Sequence, residues 1–116
     1  MEIRERLLGS VVCVDVDGRL VVGVENGLKD KVNSLFLQGH RDILLNFKDV
    51  SQIDTSGLAA ITAIRCAAKM HAGTIKLLNL PPRVHKLLVI TKLITMFDVF
   101  ESEGDAVRSF PQAADV

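Results

Sequence analysis

The side chains able to do chemistry are thinly spread along this chain. His40, His71 and His85 stand far apart, and no two have the spacing that turns both toward one metal from a helical face. A zinc site would have to recruit Cys13, in "VVCVDV", or Cys66, in "AIRCAAK". The apolar neighbours of each mark it as a small buried hydrophobe in a reducing compartment, neither ligand nor half of a disulfide. No serine sits in a G-x-S-x-G elbow, and the glycine patterns of phosphate and dinucleotide loops are missing. Asp15, Asp17, Asp49 and Asp54 could be paired on paper, but without a cleft-forming motif they read as sheet-edge and turn residues. Neither a catalytic set, a cofactor loop nor a metal site is expected.

One cluster remains, in "VSQIDTSGLAAITAI", where an apolar run breaks at Asp54-Thr55-Ser56-Gly57 and resumes with helical spacing. Thr55 or Ser56 would cap the helix, Asp54 would favour its positive end, and Gly57 would be a permissive early residue. Capping uses one hydroxyl. The other is left beside a glycine, open to an approaching protein. Along the helix, Thr62, Arg65 and Lys69 form a polar strip that Leu58 joins near the start. Ile61, Ile64 and Ala68 mark one edge of a broad apolar arc, and Ala59, Ala63, Cys66 and Met70 mark the other. Either the whole arc lies on a sheet, or part of it, with Leu58, docks a partner next to Ser56.

Whatever that cluster does depends on the elements that hold it. "DILLNF", apolar through its centre, reads as a strand covered on both faces, and a helix should run from about Gly57 to His71 with Gly73 ending it. Upstream, Val12, Val14 and Val16 alternate with Cys13 and Asp15, as in a strand with unequal faces. Turn signals flank it at Gly9-Ser10 and Asp17-Gly18; "EIRERLL" pairs with it as a hairpin, and "RLVVG" is a further short extended piece. Leu28, Val32, Leu35 and Phe36 make a helical stripe that stops at Gly39. "TIKLLNL" is a strand, Pro81-Pro82 starts a helix bearing Val84, Leu87 and Leu88, and "FDVF" is a short strand. Ser102 to Asp105 has capping-box spacing before a last helix with Ala106, Val107 and Phe110. The alternation predicts an α/β fold: a single mixed β-sheet, an N-terminal antiparallel hairpin followed by parallel strands, with about four helices packed on it in one domain over residues 1–116.

Composition narrows the function classes. With 48% of its 116 residues hydrophobic, the chain can bury a real core, and with no Trp or Tyr and 5 Phe that core is aliphatic. Stacking platforms for single-stranded nucleic acid are therefore scarce. The 14 basic and 14 acidic residues cancel, which argues against a phosphate-backbone binder and against pull toward an anionic membrane. The opening "MEIRERLL" is too charged for a secretory segment, and Leu87 to Phe97, interrupted by Lys92, is too short to span a bilayer. A soluble, cytoplasmic protein is expected.

"LLNFKDVSQIDTSGLAAI" resembles the signature of the STAS-domain family of anti-sigma factor antagonists: a buried strand, a short turn, then D-[ST]-S-G-L opening a helix. The likeness extends through "SVVCVDVDGRL", similar to the family's early strand and G-x-L turn, and "GTIKLLNLPPRVHKLLVITKL", similar to its later strand, loop and helix. The resemblance implies a STAS-like fold and a non-enzymatic switch in transcription regulation. The serine before the glycine, here Ser56, is phosphorylated by a partner anti-sigma factor that is a serine kinase of the histidine-kinase-like ATPase type; Thr55 is the lesser candidate. Unphosphorylated antagonist binds the anti-sigma factor and frees the sigma factor, and a serine phosphatase resets the cycle. Asp54, Thr55, Gly57, Leu58, Ala59 and Thr62 are the implied partner-binding residues. The chain departs from the pattern in one place: many antagonists have an acid directly after G-x-L, and here Gly18-Arg19-Leu20 is followed by Val21-Val22. The alternative implied by the same resemblance is a non-switching STAS scaffold, either an accessory subunit of a lipid-transport ABC system or part of a stress-signalling complex.

Overall fold

A computed structural model describes residues 1–23 and 25–111; the last residues of the expected 1–116 domain lie outside it. Five strands, β1 (Glu2–Leu8), β2 (Val11–Leu20), β3 (Asp42–Ile53), β4 (Thr74–Leu78) and β5 (Val99–Phe100), form one sheet in that order. Helices α1 (Glu25–Leu37), α2 (Thr55–Met70), α3 (Pro82–Ile90) and α4 (Glu103–Ser109) connect or follow the strands, with a short 3-10 turn at Leu93–Met96. The hairpin β1–β2 is antiparallel and every later pairing is parallel, as the alternation of elements predicts. Each parallel pair needs a crossover, and α1, α2 and α3 supply these, so their apolar stripes end on one face of the sheet. Leu28, Val32, Leu35 and Phe36 of α1, Ile61 and Ile64 of α2, and Val84 and Leu88 of α3 bury there against Val12, Val14, Ile43 and Leu45. Each such side chain, fully buried, stabilises the fold by roughly 1.5–3 kcal/mol.

The other face has a smaller core beneath α4, where Val11, Cys13, Leu44 and Leu78 meet Ala106 and Phe110. Hence β2 is not a strand with one wet face: Val11 and Cys13 are as buried as the valines that alternate with them. Polar ties hold α4 in place. Arg6 reaches from β1 to the Asp15 carboxylate at 2.6 Å and to Glu103 at 2.5 Å. Lys76 donates to the backbone and side-chain oxygens of Ser109, with its ammonium 4.9 Å from the Phe110 ring centre. The Ser102 hydroxyl accepts from the Asp105 N–H, the expected cap.

Several expectations about local structure change. The turn expected at Asp17-Gly18 is instead an irregularity within β2, which continues through Arg19 and Leu20; "RLVVG" is no separate strand. Asp15 pairs with Asn46 but Asp17 with Asp49, and Gly18 pairs with Val50 but Arg19 with Gln52, so β3 twice carries an extra residue. Those bulges break the alternation that would reveal a strand in "KDVSQ", and β3 runs to Ile53. At the end of α2, Ala72 takes the left-handed conformation with φ +54, where the sequence suggested Gly73. Gly73 serves packing: a Cβ there would stand 2.7 Å from the Arg41 carbonyl oxygen and from the Phe36 ring.

Candidate docking site at the start of helix α2

The break at Asp54 falls where β3 leaves the sheet, and Asp54 itself is the helix cap. Its carboxylate accepts from the Gly57 N–H at 3.1 Å, and its carbonyl oxygen accepts the first helical bond from Leu58. The other carboxylate oxygen accepts from the Val22 N–H at 3.0 Å, tying the loop after β2 to the helix start. The bond from Val22 and those from the first-turn amides hold the Asp54 carboxyl below the usual carboxylate range. The expected caps, Thr55 or Ser56, do not take this role. With that task taken by Asp54, neither hydroxyl makes a hydrogen bond among the described residues. Thr55 is exposed and Ser56 half-buried, so both remain reachable.

Gly57 is there for a different reason than permissiveness. It is buried, and a Cβ on it would lie 2.4 Å from the Leu20 carbonyl oxygen and 2.7 Å from Ile53. The first turn of α2 presses directly on the end of β2, and only a residue without a side chain allows that approach. Leu58 is likewise removed from the surface: it is 6% exposed and belongs to the main core, so it is not part of an accessible strip. Ala59 is exposed and Thr62 half-buried, its hydroxyl donating to the Leu58 carbonyl.

Farther along α2 the apolar arc divides. Ile61, Ile64 and Ala68 bury against the sheet, while Ala59, Ala63, Cys66 and Met70 face outward, Met70 at 86% exposure. Of the two readings of the arc, the one placing it wholly on the sheet is overturned. Cys66, expected to be buried, is exposed; Cys13 is buried as expected. The outward stripe begins one turn beyond Ser56, with Lys29 and Asn33 of α1 beside it at Ala63. Val22, 71% exposed, adds an apolar side chain at the helix start. The sequence marks Val21-Val22 only as hydrophobes following G-x-L, where the family pattern has an acid; the place of Val22 beside Asp54 is not visible in it.

This arrangement, an uncommitted hydroxyl pair on a helix's first turn with a flat outward stripe behind it, is set on a sheet order found in known proteins. The model of the STAS domain matches residues 2–106. The chain belongs to the STAS-domain family. Among curated STAS relatives, the anti-sigma-B factor antagonist of Bacillus subtilis (strain 168) is 34% identical over 92 residues, covering 78% of this chain and 84% of that protein. Among solved structures, an anti-sigma factor antagonist from Mycobacterium paratuberculosis superposes with TM-score 0.83 at 15% identity, over 93% of this chain and 92% of that one. The Bacillus cell fate determinant SpoIIAA in its phosphorylated form superposes with TM-score 0.72 at 21% identity, over 92% of this chain and 97% of that one. These two likenesses establish the STAS fold, a mixed five-stranded sheet with its helices.

Proposed function

We propose that this chain is a regulatory binding module, an antagonist of an anti-sigma factor, switched by phosphorylation of Ser56. The observation that carries the reading is the pair of free, reachable hydroxyls on the first turn of α2, directly ahead of the outward stripe Ala59, Ala63, Cys66 and Met70. Small side chains let a partner helix approach closely, and Val22 and Asp54 border the contact. Support also comes from the curated relative, named an antagonist of anti-sigma-B factor. The partners on this reading are an anti-sigma factor that is also a serine kinase of the histidine-kinase-like ATPase type, and a serine phosphatase. The chain binds and is modified in the cytoplasm; it does not itself catalyse.

Phosphate works as a switch because the same charge is tolerated in one setting and not in the other. On Ser56 it adds about −1.5 to −2 charges. In the free protein the amino-terminal end of α2 offsets that charge by up to ~2 kcal/mol, opposed by the Asp54 carboxylate. The fold therefore changes little. Buried without a partner at an interface, a charge costs roughly 3–5 kcal/mol. At 1.4 kcal/mol per tenfold, that corresponds to on the order of a hundredfold to several thousandfold in affinity. The interface effect dominates.

The test is mass spectrometry of the protein from its native cells, together with binding of Ser56→Asp and Ser56→Ala to the captured ATPase. Phosphate on Ser56, and Ser56→Asp bound at least about a hundredfold more weakly than Ser56→Ala, are the expected results. Phosphate on Thr55 alone would move the switch by one residue. Co-purification with an ATPase, no phosphate, and equal binding of the two variants would replace the switch with a non-switching scaffold.

A further inference from the structure

At the end of the sheet opposite Ser56, a groove of about 250 Å³ opens between the last two turns of α2, the start of β4 and the 3-10 turn. Ile75 and Phe97, both nearly buried, give it a narrow apolar strip in a lining that is otherwise mostly polar. Its wall carries Arg65 and Lys69, four residues apart on α2 and so on one side of the helix. Arg65 donates through Nε to the Met96 carbonyl at 2.9 Å, which fixes the guanidinium at the groove and leaves its terminal nitrogens without an acceptor among the described residues. The Lys69 ammonium has no hydrogen bond or ion pair among the described residues. One carboxylate, Asp98, also lines the groove, and the Lys76 ammonium lies 3.5 Å from it. Two cationic groups therefore face a recess whose single acid already has a cation beside it. Lys69 alone would be an ordinary solvated charge complementing the carboxyl end of a helix. A tethered guanidinium beside it, next to an apolar strip, is a different arrangement.

We infer that this groove is a binding site for a small organic anion, with a carboxylate or phosphate head held by Arg65 and Lys69 and an apolar body on Ile75 and Phe97. A planar guanidinium with its terminal nitrogens free suits a bidentate acceptor such as either head group, and the adjacent ammonium adds a second charge-assisted bond. Contact with the Ile75–Phe97 strip removes part of the ligand's body from water, which inorganic phosphate cannot exploit. The site shares α2 with the Ser56 region but uses the opposite end of the helix, and it does not depend on the switch proposed above.

Titration of the isotope-labelled chain with phenyl phosphate, benzoate, inorganic phosphate and benzyl alcohol tests the site. The signals to follow are the Arg65 Nε–H and the backbone amides of Thr74 and Thr95. Saturable shifts with phenyl phosphate or benzoate are expected, with weaker binding of inorganic phosphate and none of benzyl alcohol. The tighter of the two aromatic anions identifies the head group. Lys69→Gln and Arg65→Gln should each weaken that binding by about tenfold to a hundredfold, while Ser56→Asp leaves it unchanged. Should Arg65→Gln fail to fold, the exposed Lys69→Gln decides the matter. Shifts that never saturate, equal binding of benzyl alcohol, or an unchanged affinity in Lys69→Gln would overturn the site and leave Arg65 as a structural link to Met96.

Discussion

At the scale of single residues, the two cysteines show how position decides chemistry. Cys13 is fully buried between the sheet and α4, and burial, then the nearby Asp15 carboxylate, pushes its thiol up to about 12. Cys66 stands on the outward crown of α2. In the native protein an alkylating reagent at pH 8 should modify Cys66 alone, and Cys13 only after denaturation, as peptide mapping would read directly; early labelling of Cys13 would contradict the placement of α4. Bulky modification of Cys66 should also block the proposed partner, since it sits within the stripe that a partner helix would cover. Asp54 shows the same dependence on place. Its carboxylate bonds two backbone N–H groups from different segments, so Asp54→Ala should lower Tm and loosen the loop at Val22 together, with slowed-exchange protection lost at the Val22 and Gly57 amides.

At the scale of elements, the junction of β3 with α2 is defined by contact with β2 as much as by its own residues. Gly57→Ala would place a methyl group 2.4 Å from the Leu20 carbonyl oxygen, an atom of the backbone that cannot rotate away. Overpacking of this kind costs about 1–3 kcal/mol, and chemical denaturation should find Gly57→Ala destabilised by that amount despite the better helix propensity of alanine. A neutral or stabilised Gly57→Ala would mean that the helix start is looser than described. On the proposed switch, phosphate on Ser56 would change what can dock while this rigid junction keeps the helix in place. Element identities were legible from periodicity for α1, α2, β3, β4 and the hairpin. The extension of β3 through "KDVSQ" was not, because two bulges interrupt the period on which such reading rests.

At the scale of the whole molecule, Arg6, Asp15 and Glu103 couple the N-terminal hairpin to α4 across the back of the sheet. Burial raises the Asp15 carboxyl, but hydrogen bonds from Arg6 and Asn46 outweigh it, and the group ends below the usual carboxylate range. A depressed folded value means that Asp15 contributes stability above its unfolded value, roughly 4, and loses it as pH falls through the folded one. Asp42 has the opposite sign, because burial raises it. The comparison that isolates Asp15 is therefore wild type against Asp15→Asn: denaturation at stepped pH should show a smaller loss of stability on acidification in the variant. Arg6→Met at neutral pH leaves two carboxylates without their cation and should cost about 1–3 kcal/mol. The lower half is the better expectation, since Arg6 is 40% exposed in its side chain and solvent screens what remains. Equal stability of Arg6→Met and wild type would show that the Arg6 bridge adds nothing net and that α4 is held by its apolar contacts and the Lys76–Ser109 bonds.

The sequence by itself determined the class of fold, the order of its elements and the segment that carries the family likeness, because apolar periodicity and the D-T-S-G-L segment are local signals. It also excluded the familiar catalytic motifs, which depend on residue types and spacing that are absent. Tertiary structure decided what each residue of that segment does. Asp54 and not a hydroxyl caps α2, Gly57 is required by the end of β2, and Leu58 is buried while Cys66 faces out. Those assignments depend on which neighbour lies within a few ångströms, and contacts between β2 and α2, thirty and more residues apart in the chain, leave no trace in local spacing. The groove at Arg65 and Lys69 belongs to the same category. Two ordinary surface cations become a site only when a 3-10 turn supplies the carbonyl, 31 residues beyond Arg65, that tethers one of them.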